Sequence, residues 1–275
     1  MDRVLDEHAA DLPEFENPPV IEVVCGVQFE PLQAMLAPHF GLFWQQLQAE
    51  YPVCREVAPL AQVVEQFGKD AKVRFEFTDV PPLPRVWFLR QDETSLVQVQ
   101  RDRFLHNWKK VQPTDEYPRY HTVIRQFADR LADFGRFVQD YHLDALKPVQ
   151  YELTYVNHIP CGEEVSSLAD IGRLFPDFAW RTRKGRFLLN PNGINWRTTI
   201  DLPDKKGRLH ATIRSAMRSD GTNIFLFELT ARGFPGDQSP DSMWAWFGLA
   251  HEWIVRGFTD LTSEEFHRDV WRRKR

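Results

Sequence analysis

The sequence predicts an α+β protein in which long helices cover antiparallel sheets. Apolar and polar residues alternate along several stretches, most clearly over 86–108 (VWFLRQDETSLVQVQRDRFLHNW), as strands with two unlike faces require. Two other segments, 117–141 and 241–258, repeat their apolar residues every three or four positions, as amphipathic helices do. The elements also recur in one order: strand, helix, three strands, long helix. That order predicts two similar halves, 20–147 and 148–275, forming one compact unit behind an extended lead-in at 1–19. The halves share little sequence, so duplication rests on element order alone.

The lead-in closes with Asn17-Pro18-Pro19, which keeps the chain extended. In the strand 20–30, Ile21, Val23, Cys25, Val27 and Phe29 share one face, and Glu22, Val24, Gly26, Gln28 and Glu30 the other. Gly26 leaves room there for something to approach closely. Phe40, Phe43, Trp44 and Leu47 mark a helix within 33–50, with Pro38 near its first turn and Pro52 beyond its end. Residues 53–72 fit either element and stay unassigned. A strand at 73–78 and a proline-rich turn at 81–84 lead into 86–108, read as two long strands joined by Asp92-Glu93-Thr94-Ser95. The helix 117–141 carries the stripe Val123, Ile124, Phe127, Leu131, Phe134 and Val138.

In the second half, Tyr151, Leu153 and Tyr155 give the strand 149–159 one apolar face. A short helix at 166–175 has Ser166 or Ser167 as its cap, and a loop rich in Arg, Asn and Gly covers 180–194. Strands at 195–202, 208–217 and 223–232 are separated by polar turns, which predicts antiparallel hairpins.

With 43% hydrophobic and 27% charged residues, the chain has the balance of a globular protein, and a net charge of −5 disfavours wholesale nucleic-acid binding. The acidic first twenty residues lack a signal-peptide core, and no apolar run reaches membrane-spanning length, so the expectation is a soluble cytoplasmic protein. Cys25, Cys54 and Cys161 have no metal or CxxC spacing and read as idle thiols.

Motifs for chemistry are missing. His251-Glu252 begins an HExxH pattern, but Val255 stands where the second histidine belongs, so no metal is predicted. His106 and His158, beside Asn107 and Asn157, read as surface or capping residues. There is no G-x-S-x-G elbow, no P-loop and no dinucleotide glycine pattern, and no cofactor is predicted. Glu22, Glu76, Asp102, Glu152 and Glu228 lie in or beside strands, as do Arg74, Arg101, Arg103, Arg214 and Arg232, which reads first as cross-strand ion pairing.

The stretches LPEFENPPVIEVVCGVQFEPL, VQVQRDRFLHNW and LAHEWIVRGFTDLTSEEFHRDVW resemble a sporadically distributed prokaryotic family of unknown function, over nearly the whole chain. The resemblance implies a single unit of about this length with patchy occurrence, as accessory, defence and toxin–antitoxin genes have; it implies no activity.

The expectation is therefore a binding protein for a small molecule or a protein partner. Its ligand-binding row is Gln28, Gln98, Gln100, Asp102 and Asn157, polar strand residues that must meet solvent, a partner or a cavity. A second reading is an enzyme using the strand carboxylates on a nucleotide or other polyanion. A third, not favoured, is nucleic-acid or partner contact through Trp180, Arg181, Arg183, Lys184 and Arg186, aided by the basic tail around Trp271. Oligomeric state is not legible.

Overall fold

The computed structural model describes residues 12–65, 83–162, 165, 168–178, 185–189, 191–233, 237 and 239–274. Among the described residues alternation builds nine strands: β1 (Val20–Phe29), β2 (Val53–Val57), β3 (Arg85–Leu89), β4 (Ser95–Gln100), β5 (Arg103–Lys109), β6 (Pro148–Pro160), β7 (Asn195–Asp201), β8 (Arg208–Met217) and β9 (Asn223–Gly233). The described α-helices are α1 (Ala37–Leu47), α2 (Arg119–Asp140), α3 (Ile171–Leu174), α4 (Pro240–Leu261) and α5 (Glu264–Asp269). The α+β class holds. The two antiparallel sheets expected for the halves join into one continuous antiparallel sheet, in the order β2-β3-β4-β5-β1-β6-β9-β8-β7. Its middle is the antiparallel pair β1–β6.

The stretch 86–108 breaks differently from the expectation. Arg101 and Asp102 make a second tight turn, so the segment forms three strands rather than two. The expected strand 73–78 and the capping Ser166 and Ser167 lie outside the described residues. The α3 region is shorter than expected, a single turn preceded by the 3-10 turn Leu168–Asp170. Helix α4 starts where Pro240 takes the first position and the Ser239 hydroxyl accepts a hydrogen bond from the Ser242 N–H at 3.2 Å. Helix α5, which the sequence reading did not separate, is capped by Ser263.

Period two assigns the faces. Val23, Cys25, Val27 and Phe29 on β1, Val97 and Val99 on β4, and Phe104 on β5 are buried under the helices. Phe134 of α2 lies 6.0 Å from Phe29, 5.3 Å from Phe43 and 5.2 Å from Phe104, centroid to centroid. Phe127 of α2 meets Phe247 of α4 at 5.3 Å, so the two long helices share one core. Each such ring contributes about 1.5–3 kcal/mol by leaving water. Phe15 of the entering chain forms a bridge with Arg273 and packs on Trp271 and Phe258. Trp271 is thus a core residue, and the basic tail offers no free stacking ring there.

The opposite face is polar. It carries Glu22 and Gln28 of β1, Gln98 and Gln100 of β4, Arg103 and Asn107 of β5, Gln150, Glu152 and Thr154 of β6, Thr230 and Arg232 of β9, and Arg208 and His210 of β8. Gly26 is fixed by this face, because a Cβ there would collide with the Leu105 side chain on β5. The close approach expected at Gly26 comes from a neighbouring strand.

Candidate functional site

After β2 the chain leaves the sheet edge and runs across the polar face as residues 58–65. Its successive residues meet successive strands. Gln100 on β4 accepts from the Leu60 N–H at 2.8 Å and donates to the Leu60 carbonyl at 2.9 Å. Arg103 on β5 donates to the Ala61 carbonyl at 3.0 Å. Gln28 on β1 and Gln150 on β6 donate to the Val63 carbonyl at 3.4 and 2.8 Å, and Gln150 also accepts from the Glu65 N–H at 2.8 Å. Four strands at about 4.8 Å spacing span about 14 Å from β4 to β6, and five residue steps reach at most about 17 Å, so this strap is close to fully extended.

The side-chain amides here take the place of a neighbouring strand. The one on Gln100 pairs with N–H and C=O of one residue, as a β-ladder partner does. That of Gln150 bridges the C=O of one residue and the N–H two residues on. Asp102 fixes the Gln100 orientation, because its carboxylate accepts from Gln100 Nε2 at 2.9 Å and from Arg103 Nε at 3.5 Å. With Nε2 so engaged, Oε1 is the atom facing the Leu60 N–H. The strap's own side chains are little used up to Glu65: Leu60, Ala61 and Gln62 are exposed.

Glu65 anchors the far end. It is 3% exposed, its carboxylate 2.6 Å from His210 Nε2 and 3.1 Å from an Arg208 guanidinium nitrogen. Burial pushes this carboxyl up, but the hydrogen bond and charge of His210 and the hydrogen bond from Arg208 outweigh it and leave the group below its ordinary range. Arg208 is held in turn by Asp201 at 3.0 Å.

Of the row expected from sequence, Gln28, Gln100 and Asp102 converge on the strap. Gln98 stays on the same face but serves its neighbours: Oε1 accepts from Arg85 and from the Trp87 indole, both at 2.9 Å, and Nε2 donates to Asn107 at 2.7 Å. Asn157 falls on the helix-covered face and donates to the Phe227 carbonyl at 3.1 Å, so it does not join the row. Gln150, Arg208, His210 and the strap itself were missed, and Arg103 was read only as an ion-pairing strand residue, which its contact with Asp102 bears out. Gln150 was within reach of the period-two rule, since it shares a face with Glu152 and Thr154; the strap was not.

Of the carboxylates read as an enzyme centre, the four described ones lie on or beside this face, each with its own partner, Glu228 accepting from the Thr230 hydroxyl at 3.3 Å. Glu152 pairs with Arg232, Asp102 with Arg103, and Glu22 accepts from Asn107 at 2.6 Å. Burial nonetheless raises the Glu22 carboxyl, with Glu228 adding to it against Asn107 and Lys109. Glu76 and Arg74 lie outside the described residues. No group of three or more His, Cys, Asp or Glu side chains suited to a metal ion occurs among the described residues. His106 is a core residue rather than a surface or capping one: its Nε2 lies 3.0 Å from the Ser95 hydroxyl, which lies 3.1 Å from that of Tyr51. Burial, and secondarily the Arg130 charge, pushes His106 down to about 3. This serine–histidine contact is sealed in the core with a phenol in third place, so it reads as buried hydrogen bonding rather than an activated nucleophile.

Trp180, Arg181, Arg183 and Lys184 lie outside the described residues, whereas Arg186 lies within them and is half-buried. The cysteines are free: Cys25 buried, Cys54 exposed and Cys161 half-buried. Among the described residues no helix is long and apolar enough to cross a membrane.

Comparison with protein-family models finds no match, and neither does comparison with curated proteins. Among solved structures, the chain is similar to DynU16, a protein of the dynemicin biosynthetic locus, at 10% identity, covering 88% of this chain and 98% of that one with a TM-score of 0.24. A likeness at that level decides neither fold nor function.

Proposed function

We propose that this is a binding protein whose polar sheet face recognises an extended polypeptide through its main chain, residues 58–65 being an internal occupant of that face. The observation that carries the reading is the pairing of Gln100 with both main-chain groups of Leu60, repeated in bridged form by Gln150. Main-chain pairing of this kind tolerates varied side chains, and the Glu65 pocket adds one acidic anchor. A second feature supports the reading: the buried Gln28 Oε1 has no hydrogen-bond partner among the described residues and can accept an N–H from an incoming chain. The path runs over the β1–β6 seam. Strand order about that seam, β1-β5-β4-β3-β2 on one side and β6-β9-β8-β7 on the other, supports the reading of two similar halves sharing one groove.

The test uses the full chain and a labelled peptide of residues 58–65. Glu65→Lys frees the face by setting a cation against Arg208 and His210, and peptide added to this variant binds. Adding Gln100→Ala and Gln150→Ala removes the binding. Peptides N-methylated at the positions of Leu60 and Glu65 lose most of their affinity, while alanine at Gln62 changes little. Equal binding of methylated and unmethylated peptides overturns the reading.

A further inference from the structure

The helix-covered side contains a cavity of about 280 Å³ between β6, the first turn of α2, α4 and the entering chain. Phe15, Tyr117, Tyr120, Tyr155, His251 and Phe258 give it aromatic walls, with Leu12, Val20 and Ile254 between them. The Tyr120 and His251 rings stack at 3.8 Å and 5°, and the Tyr120 hydroxyl is spent on the Phe247 carbonyl at 2.9 Å.

The polar groups inside this cavity are few: the Tyr117 and Tyr155 hydroxyls, His251, and Asn157, whose Nδ2 already donates to the Phe227 carbonyl. The hydroxyls of Tyr117 and Tyr155 lie 2.9 Å apart, a contact that uses one of their two O–H hydrogens. His251 makes no hydrogen bond among the described residues, and its ring lines the cavity. Burial pushes His251 down to about 3 and raises all three phenols, so these groups are neutral at physiological pH. At the rim, Arg119 is committed to the Phe15 carbonyl at 3.0 Å and lies 3.9 Å from Glu14.

We infer that this cavity binds a neutral aromatic molecule of about the size of a substituted naphthalene, carrying one hydrogen-bonding oxygen. The aromatic lining supplies offset and edge contacts to a flat ring. His251 and the phenol pair supply the polar contact; of the other ionisable groups, Arg119 is committed to the Phe15 carbonyl and His121 is exposed at the rim, so an ion among the aromatic walls would be desolvated without a buried counter-charge. The site lies on the opposite side of the sheet from the strap and is independent of the peptide reading.

The full-length chain is titrated with 6-propionyl-2-dimethylaminonaphthalene, a neutral fluorophore with one carbonyl, followed by its emission. Saturable binding with a blue shift is expected. 2-Acetylnaphthalene competes, and 2-naphthoate, of the same size but anionic, competes at least tenfold less well. Val255→Trp fills the mouth and abolishes the shift. His251→Phe keeps the stacking on Tyr120 and removes the ring nitrogens, so the ketone loses about fivefold in affinity, the worth of one hydrogen bond, while unsubstituted naphthalene is unchanged. Should the tryptophan variant misfold, His251→Phe alone decides. No saturable shift, or naphthoate binding as well as the ketone, overturns the proposal, as does an equal loss of ketone and hydrocarbon in His251→Phe.

Discussion

The two faces of this sheet are made by the same strands and held by different physics. Under the helices, Phe29, Phe104 and Phe134 are held by exclusion of water and close packing. On the other face, Gln28, Gln100 and Gln150 are almost as buried, but they are bound to the main chain of the strap by directional hydrogen bonds. Burial of the first kind is hard to reverse. Burial of the second kind is replaceable, because every bond the strap makes can be made by water or by another chain.

The comparison is sharpened most by truncating one side at a time. Phe134→Ala empties space among Phe29, Phe43 and Phe104 and should cost about 3–5 kcal/mol, read as a lower urea midpoint for the whole chain. Glu65→Gln weakens the anchor at His210 and Arg208 and should cost about 1–3 kcal/mol. It is read not in the global midpoint but as faster amide exchange at the Leu60 and Glu65 N–H groups. A global loss as large as that of Phe134→Ala would erase the distinction between the faces.

Acid should act on the same anchor. The Glu65 carboxyl is depressed in the folded chain, so its contribution is fully present above the ordinary carboxylate value of 4.5 and is lost as pH falls through the lower folded value. Amide exchange over 60–65, corrected for intrinsic rates, should therefore rise at acidic pH before the sheet opens. Exchange that stays flat down to global unfolding would show that the carboxylate does not hold the strap. Smallest of all, Cys54→Ser on exposed β2 should change stability by less than about 0.5 kcal/mol in either direction, checked by thermal melting.

Much of this architecture could be read from sequence because it is local. The helices 117–141 and 241–258 and the hairpin strands 208–217 and 223–232 were placed within a few residues by periodicity and polar turns. The row of glutamines was legible for the same reason. Asn157 was misassigned because polarity was followed where parity should have been: it is two residues from Tyr155, hence on the apolar side. His106 misled similarly, a polar residue between Phe104 and Trp108 on the buried face. The strap was beyond reach. Its residues fit either element from sequence alone, and what they lie on is assembled from β4, β5, β1, β6 and β8, up to about 145 positions away in sequence. No window along the chain contains that surface.

The bridge between Phe15 and Arg273 has a practical side. It sets the entering and leaving chain side by side, with Lys274 donating to the Glu14 carbonyl at 2.7 Å. A short linker can therefore join these two points without crossing the molecule, and new termini can be opened at the exposed turn 219–222 between β8 and β9. Such a circular permutant would keep the strand order of the sheet.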